Sequence, residues 1–134
     1  MAASDSVDVL IIGGGPAGLT AATTLARQLH SVTLFDSKEY RNAGAFYMNM
    51  VPTWDHKDPR DFRAASRKEI LSNYSTLQIE DTKIENATRT EDGLFALQDG
   101  NGKVWEGRKL ILAIGSADDY PAIEGYEECW PTRM

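Results

Sequence analysis

Residues 7–36 read VDVLIIGGGPAGLTAATTLARQLHSVTLFD. Val7 to Ile12 is a β-branched, apolar run of the kind a buried parallel strand requires. It passes without a break into Gly13-Gly14-Gly15-Pro16-Ala17-Gly18. Beyond the glycines, Ala17, Ala21, Leu25 and Leu29 recur every four residues, with Ala22 and Ala26 beside them, which predicts an amphipathic helix. Ser31 to Asp36 then reads as a second strand ending in an acid. Strand, glycine turn, helix and strand make a βαβ unit, for which a right-handed crossover is expected.

A glycine-rich corner alone is a weak signal. Here Gly13-x-Gly15-x-x-Gly18 follows a strand and opens a helix, and Asp36 lies eighteen residues beyond Gly18 at the end of the next strand. Each residue type has a physical reason. Gly13 permits the tight turn, Gly15 leaves room for a pyrophosphate at the backbone, and Gly18 lets the helix pack closely. The helix N-terminus offers unpaired N–H groups to the phosphates. Asp36 is suited to accept from a ribose hydroxyl and disfavours a 2′-phosphate. The plain alternative is a bare glycine corner with a solvated aspartate.

Working outward, Tyr40 to Thr53 lacks a period and reads as a loop crossing the ligand face. Asp58 is a predicted N-cap, with Pro59 in the first turn and Asp61 near the positive end of the dipole. Phe62, Ser66, Ile70 and Tyr74 give that helix one stripe. A third strand is expected from Thr76 to Glu80 or on to Ala87. Leu94–Gln98 and Lys103–Gly107 flank the hairpin turn Asp99-Gly100-Asn101-Gly102. Leu110 to Ile114 reads as a central strand buried on both faces. From Ser116 to Met134 no periodic element is expected. The fold class is therefore α/β: a single, Rossmann-like, doubly wound parallel sheet with a small antiparallel β-meander, its ligand at the carboxyl ends of the parallel strands.

Composition narrows the function classes. The 134 residues carry 14 Lys and Arg against 20 Asp and Glu, a formal charge of −6, which argues against a nucleic-acid or anionic-membrane partner. A hydrophobic content of 42% excludes a wholly disordered chain. The longest apolar run is far below the ~18 residues of a membrane span. Met1 to Ser6 is polar and acidic, so no signal peptide and a cytoplasmic location are expected. The one cysteine, Cys129, cannot make an internal disulfide or a CxxC pair. No metal-ligand spacing is present.

With these motifs in hand, VDVLIIGGGPAGLTAATTLARQ, FDSKEYRNA and LILAIGS together resemble the FAD domain of the class-II pyridine nucleotide–disulfide oxidoreductases, in the thioredoxin reductase-like branch. The stretch TWDHKDPRDFRAASRKEILSNYSTLQ is similar to fungal members of the gliotoxin-type dithiol oxidase kind. The resemblance runs from Val7 to about Trp130. It implies FAD as the cofactor. By position it puts Gly13, Gly15, Pro16 and Ala17 at the pyrophosphate and Asp36 at the adenosine ribose. It puts Arg41 and Asn42 over the adenosine and phosphates, and Ile84 at the adenine through its backbone. Ala113-Ile114-Gly115 matches an Ala-Thr-Gly turn with Ile114 for Thr. Against the same pattern, no glycine-rich NADPH domain, no CxxC and no return strand are present before Met134, so a domain incomplete at its C-terminal end is expected. Fungal relatives also tend to carry a histidine-rich segment where this chain reads Phe46-Tyr47-Met48-Asn49-Met50.

Three functions are compatible with these residues. The first is an FAD-dependent oxidoreductase of fungal secondary metabolism acting on a small molecule, without NADPH–disulfide reductase activity. The second is a non-redox cyclase, isomerase or dehydratase using the former flavin region as an apolar pocket. The third is a catalytically silent nucleotide-binding subunit. Asp55 and His56 are the candidate acid/base pair, set against the plain reading that Asp55 and Asp58 cap the coming helix and His56 is a solvated loop residue. Met48, Met50, Trp54, Phe46 and Tyr47 either line an apolar pocket or pack on the sheet. Without the return strand, Leu110–Ile114 is expected to become an open sheet edge covered by a homodimer or a partner chain, the alternative being that the tail from Ser116 to Met134 folds back over it.

Overall fold

The computed structural model describes residues 6–130. In chain order it contains β1 (Val7–Ile12), α1 (Pro16–Arg27), β2 (Val32–Phe35), α2 (Pro59–Asn73), β3 (Leu77–Glu80), β4 (Ile84–Arg89), β5 (Phe95–Asp99), β6 (Val104–Leu112) and the short α3 (Tyr126–Cys129). One sheet takes all six strands in the order β3-β2-β1-β6-β5-β4. β1 pairs in parallel with β2, from Val9 opposite Val32 to Ile12 opposite Phe35, and in parallel with β6 on its other side. β2 pairs in parallel with β3, while β4, β5 and β6 form the antiparallel meander.

The alternation of side chains along β1 and β2 divides the core. Val9, Ile11, Val32 and Leu34 face Leu19, Ala22 and Ala26 of α1 and Ile70 of α2. Leu10 and Phe35 point the other way, where Leu97, Phe95 and Trp105 of the meander pack on them. Trp105 meets Phe35 edge-on at 5.0 Å, so it is a packing residue, as expected for an indole on the hairpin.

Several boundaries differ from the sequence pattern. The buried stripe of α1 is Gly18, Leu19, Ala22 and Ala26, and the helix ends at Arg27. Leu29 has left the helix with φ 65° and is exposed. The segment after Thr76 does not run on to Ala87: it breaks into β3 and β4, which lie on opposite edges of the sheet. The arm Lys103–Gly107 and the strand Leu110–Ile114 are one strand, β6, antiparallel to β5 up to Gly107 and parallel to β1 from there to Leu112. Nor is this strand's second half buried on both faces. Leu110 and Ile111 are half-buried, Leu112 and Ile114 are exposed, and beyond Gly107 β6 pairs with β1 alone among the described strands. Asp58 caps α2 as expected, its carboxylate accepting from the Arg60 N–H at 2.7 Å.

Candidate functional site

The carboxyl ends of β1, β2 and β6 open on one cleft of about 1280 Å³. Gly13, Gly15, Pro16, Ala17, Asp36, Arg41, Asn42, Ile84, Ala113 and Gly115, ten residues picked from the sequence, all line it. The glycines play separable parts. Gly13 has φ 121°, and a methyl built on it would fall on the Ala113 carbonyl. A methyl on Gly14 would strike the Asp36 carboxylate, and one on Gly18 the Gly13 carbonyl oxygen. These three are glycine because the protein itself fills the space. Gly15 is different. Its backbone is extended, φ −79° and ψ −176°, and a methyl there would meet nothing within 4 Å. No contact within the fold demands a glycine at 15; the space in front of it is the cleft.

Gly15 is also the N-cap residue of α1, with no side chain to satisfy the first turn. The first intrahelical bond runs from the Leu19 N–H to the Gly15 carbonyl at 3.0 Å. Pro16 has no N–H, so the amides of Ala17 and Gly18 are the donors presented at the helix mouth.

Asp36 sits at the floor with 2% exposure. It is not the solvated acceptor of the plain reading. Tyr40 Oη donates to its Oδ2 at 2.6 Å, Arg67 Nη1 to the same oxygen at 2.8 Å, and the Lys38 N–H to Oδ1 at 2.9 Å. That leaves room on Oδ1 for a further donor such as a ribose hydroxyl. Arg67 is held in turn by Asp81 at 2.6 Å, which Lys38 also reaches at 2.7 Å. Lys38 in first place, against the opposing effect of burial, and Arg67 with it, hold the Asp81 carboxyl below its ordinary 3.8.

Burial first, then its bond to Asp36 and that carboxylate's charge, push the Tyr40 phenol from 10.0 up to about 12. The unfolded chain gives up this proton near pH 10 and the folded chain near 12, so stability falls as pH rises through that interval. In an alkaline absorbance titration of the five tyrosines, one late component is expected, and Tyr40→Phe should remove it. A late component that survives Tyr40→Phe would contradict this.

The far wall comes from the segment after β6. Arg41 Nε donates to both carboxylate oxygens of Asp118, at 3.0 and 3.1 Å, and Trp130 Nε1 reaches Asp118 Oδ2 at 3.4 Å. Tyr120 lies between Tyr126 and Trp130, with ring centroids 6.3 and 6.2 Å away. The short α3 in this segment has no apolar period, which is why the sequence did not show it.

Asp55 and His56 do meet, with His56 Nε2 3.4 Å from Asp55 Oδ2. Both side chains are exposed, and neither residue lines the cleft. Asp55 does not cap α2; its Oδ1 accepts the Met50 N–H at 2.9 Å and so shapes the loop. Trp54 packs edge-on against Phe62 of α2 at 5.5 Å. Phe46, Tyr47 and Met50 are exposed, and they neither line the cleft nor pack on the sheet. Among the described residues, no group of three or more His, Cys, Asp or Glu is arranged to hold a metal, and no helix is long and apolar enough to cross a membrane.

Three cleft residues were not visible in the sequence, Tyr40, Arg63 and Asp118, nor was Arg67, which holds Asp36 from beside the cleft. Arg63 and Arg67 stand one turn apart on the helix face that also buries Ile70. A periodicity analysis assigns charged residues to the solvent face, and only the acceptors contributed by other segments bring these two inward.

A glycine loop at a helix mouth, an acid at the end of the next strand and a cleft across the parallel strand ends define a dinucleotide-binding α/β protein. Residues 7–133 match the family model of the pyridine nucleotide-disulphide oxidoreductases, and the chain belongs to that family. It is 46% identical over 128 residues to thioredoxin reductase aclD of Aspergillus oryzae, covering 95% of this chain and 40% of the relative. It is 49% identical over 131 residues to thioredoxin reductase tcpT of Claviceps purpurea, covering 97% of this chain and 41% of that one. An oxidoreductase from Agrobacterium tumefaciens superimposes with a TM-score of 0.88 at 33% identity, over 95% of this chain and 42% of its own. The chain thus spans about 40% of the length of the curated relatives it matches.

Proposed function

We propose that this cleft binds FAD, held through its ADP half, and that the chain is the FAD-binding part of an oxidoreductase acting on a small molecule of fungal secondary metabolism. The open space in front of Gly15 carries the reading. Three neighbouring glycines answer to the protein's own packing, whereas Gly15 answers only to something placed in the cleft. Family membership and the thioredoxin reductases among the relatives support a flavin over a free nicotinamide nucleotide. Gly13, Gly15, Pro16 and the helix-mouth amide of Ala17 would hold the pyrophosphate, with Arg41 and Asn42 beside it. Asp36 Oδ1 would take a ribose hydroxyl, and the Ile84 backbone would flank the adenine. Bound there, FAD would supply a group that accepts and returns a pair of electrons. The residues of this chain bind and orient it.

The purified chain, as isolated or after incubation with FAD and gel filtration, should co-elute with the absorbance bands of oxidised flavin. A protein that stays colourless at saturating FAD while folded by circular dichroism would contradict the proposal.

A further inference from the structure

Arg63 is 6% exposed, and among the described residues no carboxylate lies within ion-pairing distance of it. Its guanidinium stacks on the Tyr40 ring at 3.8 Å and donates from Nη1 to Asn42 Oδ1 at 2.9 Å. The acids on either side are engaged chiefly by others: Asp36 by Arg67 and Tyr40, and Asp58 by Arg60, with Arg63 only the last and weakest of the influences that hold the Asp58 carboxyl low. A buried cation with no carboxylate in direct contact carries a desolvation penalty that is only partly compensated, and such charges are ordinarily paired. Arg63 and Asn42 both line the cleft.

The bond between them has a consequence for the cleft. A guanidinium has donors and no acceptor, so Asn42 must turn its oxygen to Arg63, and its NH₂ group faces away. The amide orientation thus follows from the chemistry of the partner. We infer that Arg63 is the positioning residue of the phosphate subsite: it fixes the Asn42 amide with its two N–H donors toward the bound nucleotide, and the nucleotide's pyrophosphate supplies the missing counter-charge. This rests on the reading of the cleft as an FAD site. Within FAD the pyrophosphate is the anionic group at neutral pH, so a buried cation facing the cleft selects for that part of the ligand.

The probes are ADP and adenosine, each competing for the cleft against FAD, with FAD affinity measured directly. Arg63→Met should weaken ADP and FAD roughly 10-fold or more, the worth of one charge-assisted hydrogen bond, and leave adenosine within about 2-fold. Arg63→Lys, which keeps the charge but lacks the planar fork, should recover part of the ADP affinity. Asn42→Ala should weaken ADP and FAD but not adenosine, and should add little on top of Arg63→Met, because both changes remove the same oriented donors. Melting temperatures of the ligand-free variants separate binding from folding. If Arg63→Met fails to fold, the Arg63→Lys and Asn42→Ala variants carry the same ADP-against-adenosine comparison. Equal losses for ADP and adenosine, fully additive effects, or an unchanged ADP affinity would overturn the inference while leaving the FAD site standing. A wild-type chain that binds neither FAD nor ADP overturns both.

Discussion

Gly15→Leu is expected to abolish FAD binding, with a loss of at least ~100-fold in affinity, in a chain that still folds. The backbone of Gly15 is extended and a side chain there meets open space, so the protein accommodates the substitution without strain. Its expense to folding is the exchange of a fair N-cap for a poor one, about 1 kcal/mol. The same isobutyl group projects into the volume the pyrophosphate would use. Gly18→Ala makes the control of opposite sign. Its methyl overlaps the Gly13 carbonyl, which belongs to the backbone and cannot swing aside, so the fold should lose about 3 kcal/mol. Denaturant titration and FAD titration of both variants check the pair. A Gly15→Leu chain that retains wild-type FAD affinity, or one that unfolds like Gly18→Ala, would show that the open space is not the phosphate cradle.

Asp36→Ala should destabilise the fold by about 3 kcal/mol in the absence of any ligand, because it removes one partner of a buried ion pair. Arg67 keeps Asp81, but its Nη1 loses the acceptor at 2.8 Å and the Tyr40 hydroxyl loses its own at 2.6 Å. A void also opens beneath Gly14, whose backbone rests on the carboxylate. Asp36→Asn keeps the volume and one carbonyl acceptor, so its loss should be smaller. Any fall in FAD affinity in Asp36→Ala therefore has to be read against its stability, measured by chemical denaturation. An Asp36→Ala chain as stable as wild type would mean that the Tyr40–Asp36–Arg67 network contributes nothing net. The motif in the sequence points Asp36 toward a ligand; its part in holding Tyr40 and Arg67 is visible only in the fold.

The βαβ unit was legible because its signals are local. Val7–Ile12, the glycine turn and the acid at Asp36 each follow from neighbours within a few residues, and the ten residues singled out by the motif and by the family resemblance line one cleft. Other features depend on distant parts of the chain. Gly107 reads in sequence as the end of a hairpin arm. In the fold it lies mid-strand, where a Cβ would collide with the Leu10 side chain, so this glycine marks close approach between β6 and β1. Phe62, Ser66, Ile70 and Tyr74 outline the stripe of α2, yet Arg63, which is off that stripe, is buried almost as fully as Ile70, and its partners Tyr40 and Asn42 come from a loop twenty-odd residues upstream. Adjacent side chains usually diverge, but those of Asp55 and His56 do not. His56 takes a left-handed backbone, φ 58°, and the two side chains come together at the surface, outside the cleft.

Challenging the FAD-loaded chain with excess ADP and, separately, with excess riboflavin tests most directly whether this cleft holds a nucleotide by its ADP half. Flavin fluorescence released into solution reports displacement by ADP. For riboflavin, the flavin that remains with the protein after desalting is identified by chromatography. If the glycine loop, the α1 helix mouth, Asp36 and the Arg63–Asn42 pair address the ADP moiety as proposed, ADP should displace FAD and riboflavin should leave it in place. Displacement by riboflavin with no effect of ADP would contradict the assignment.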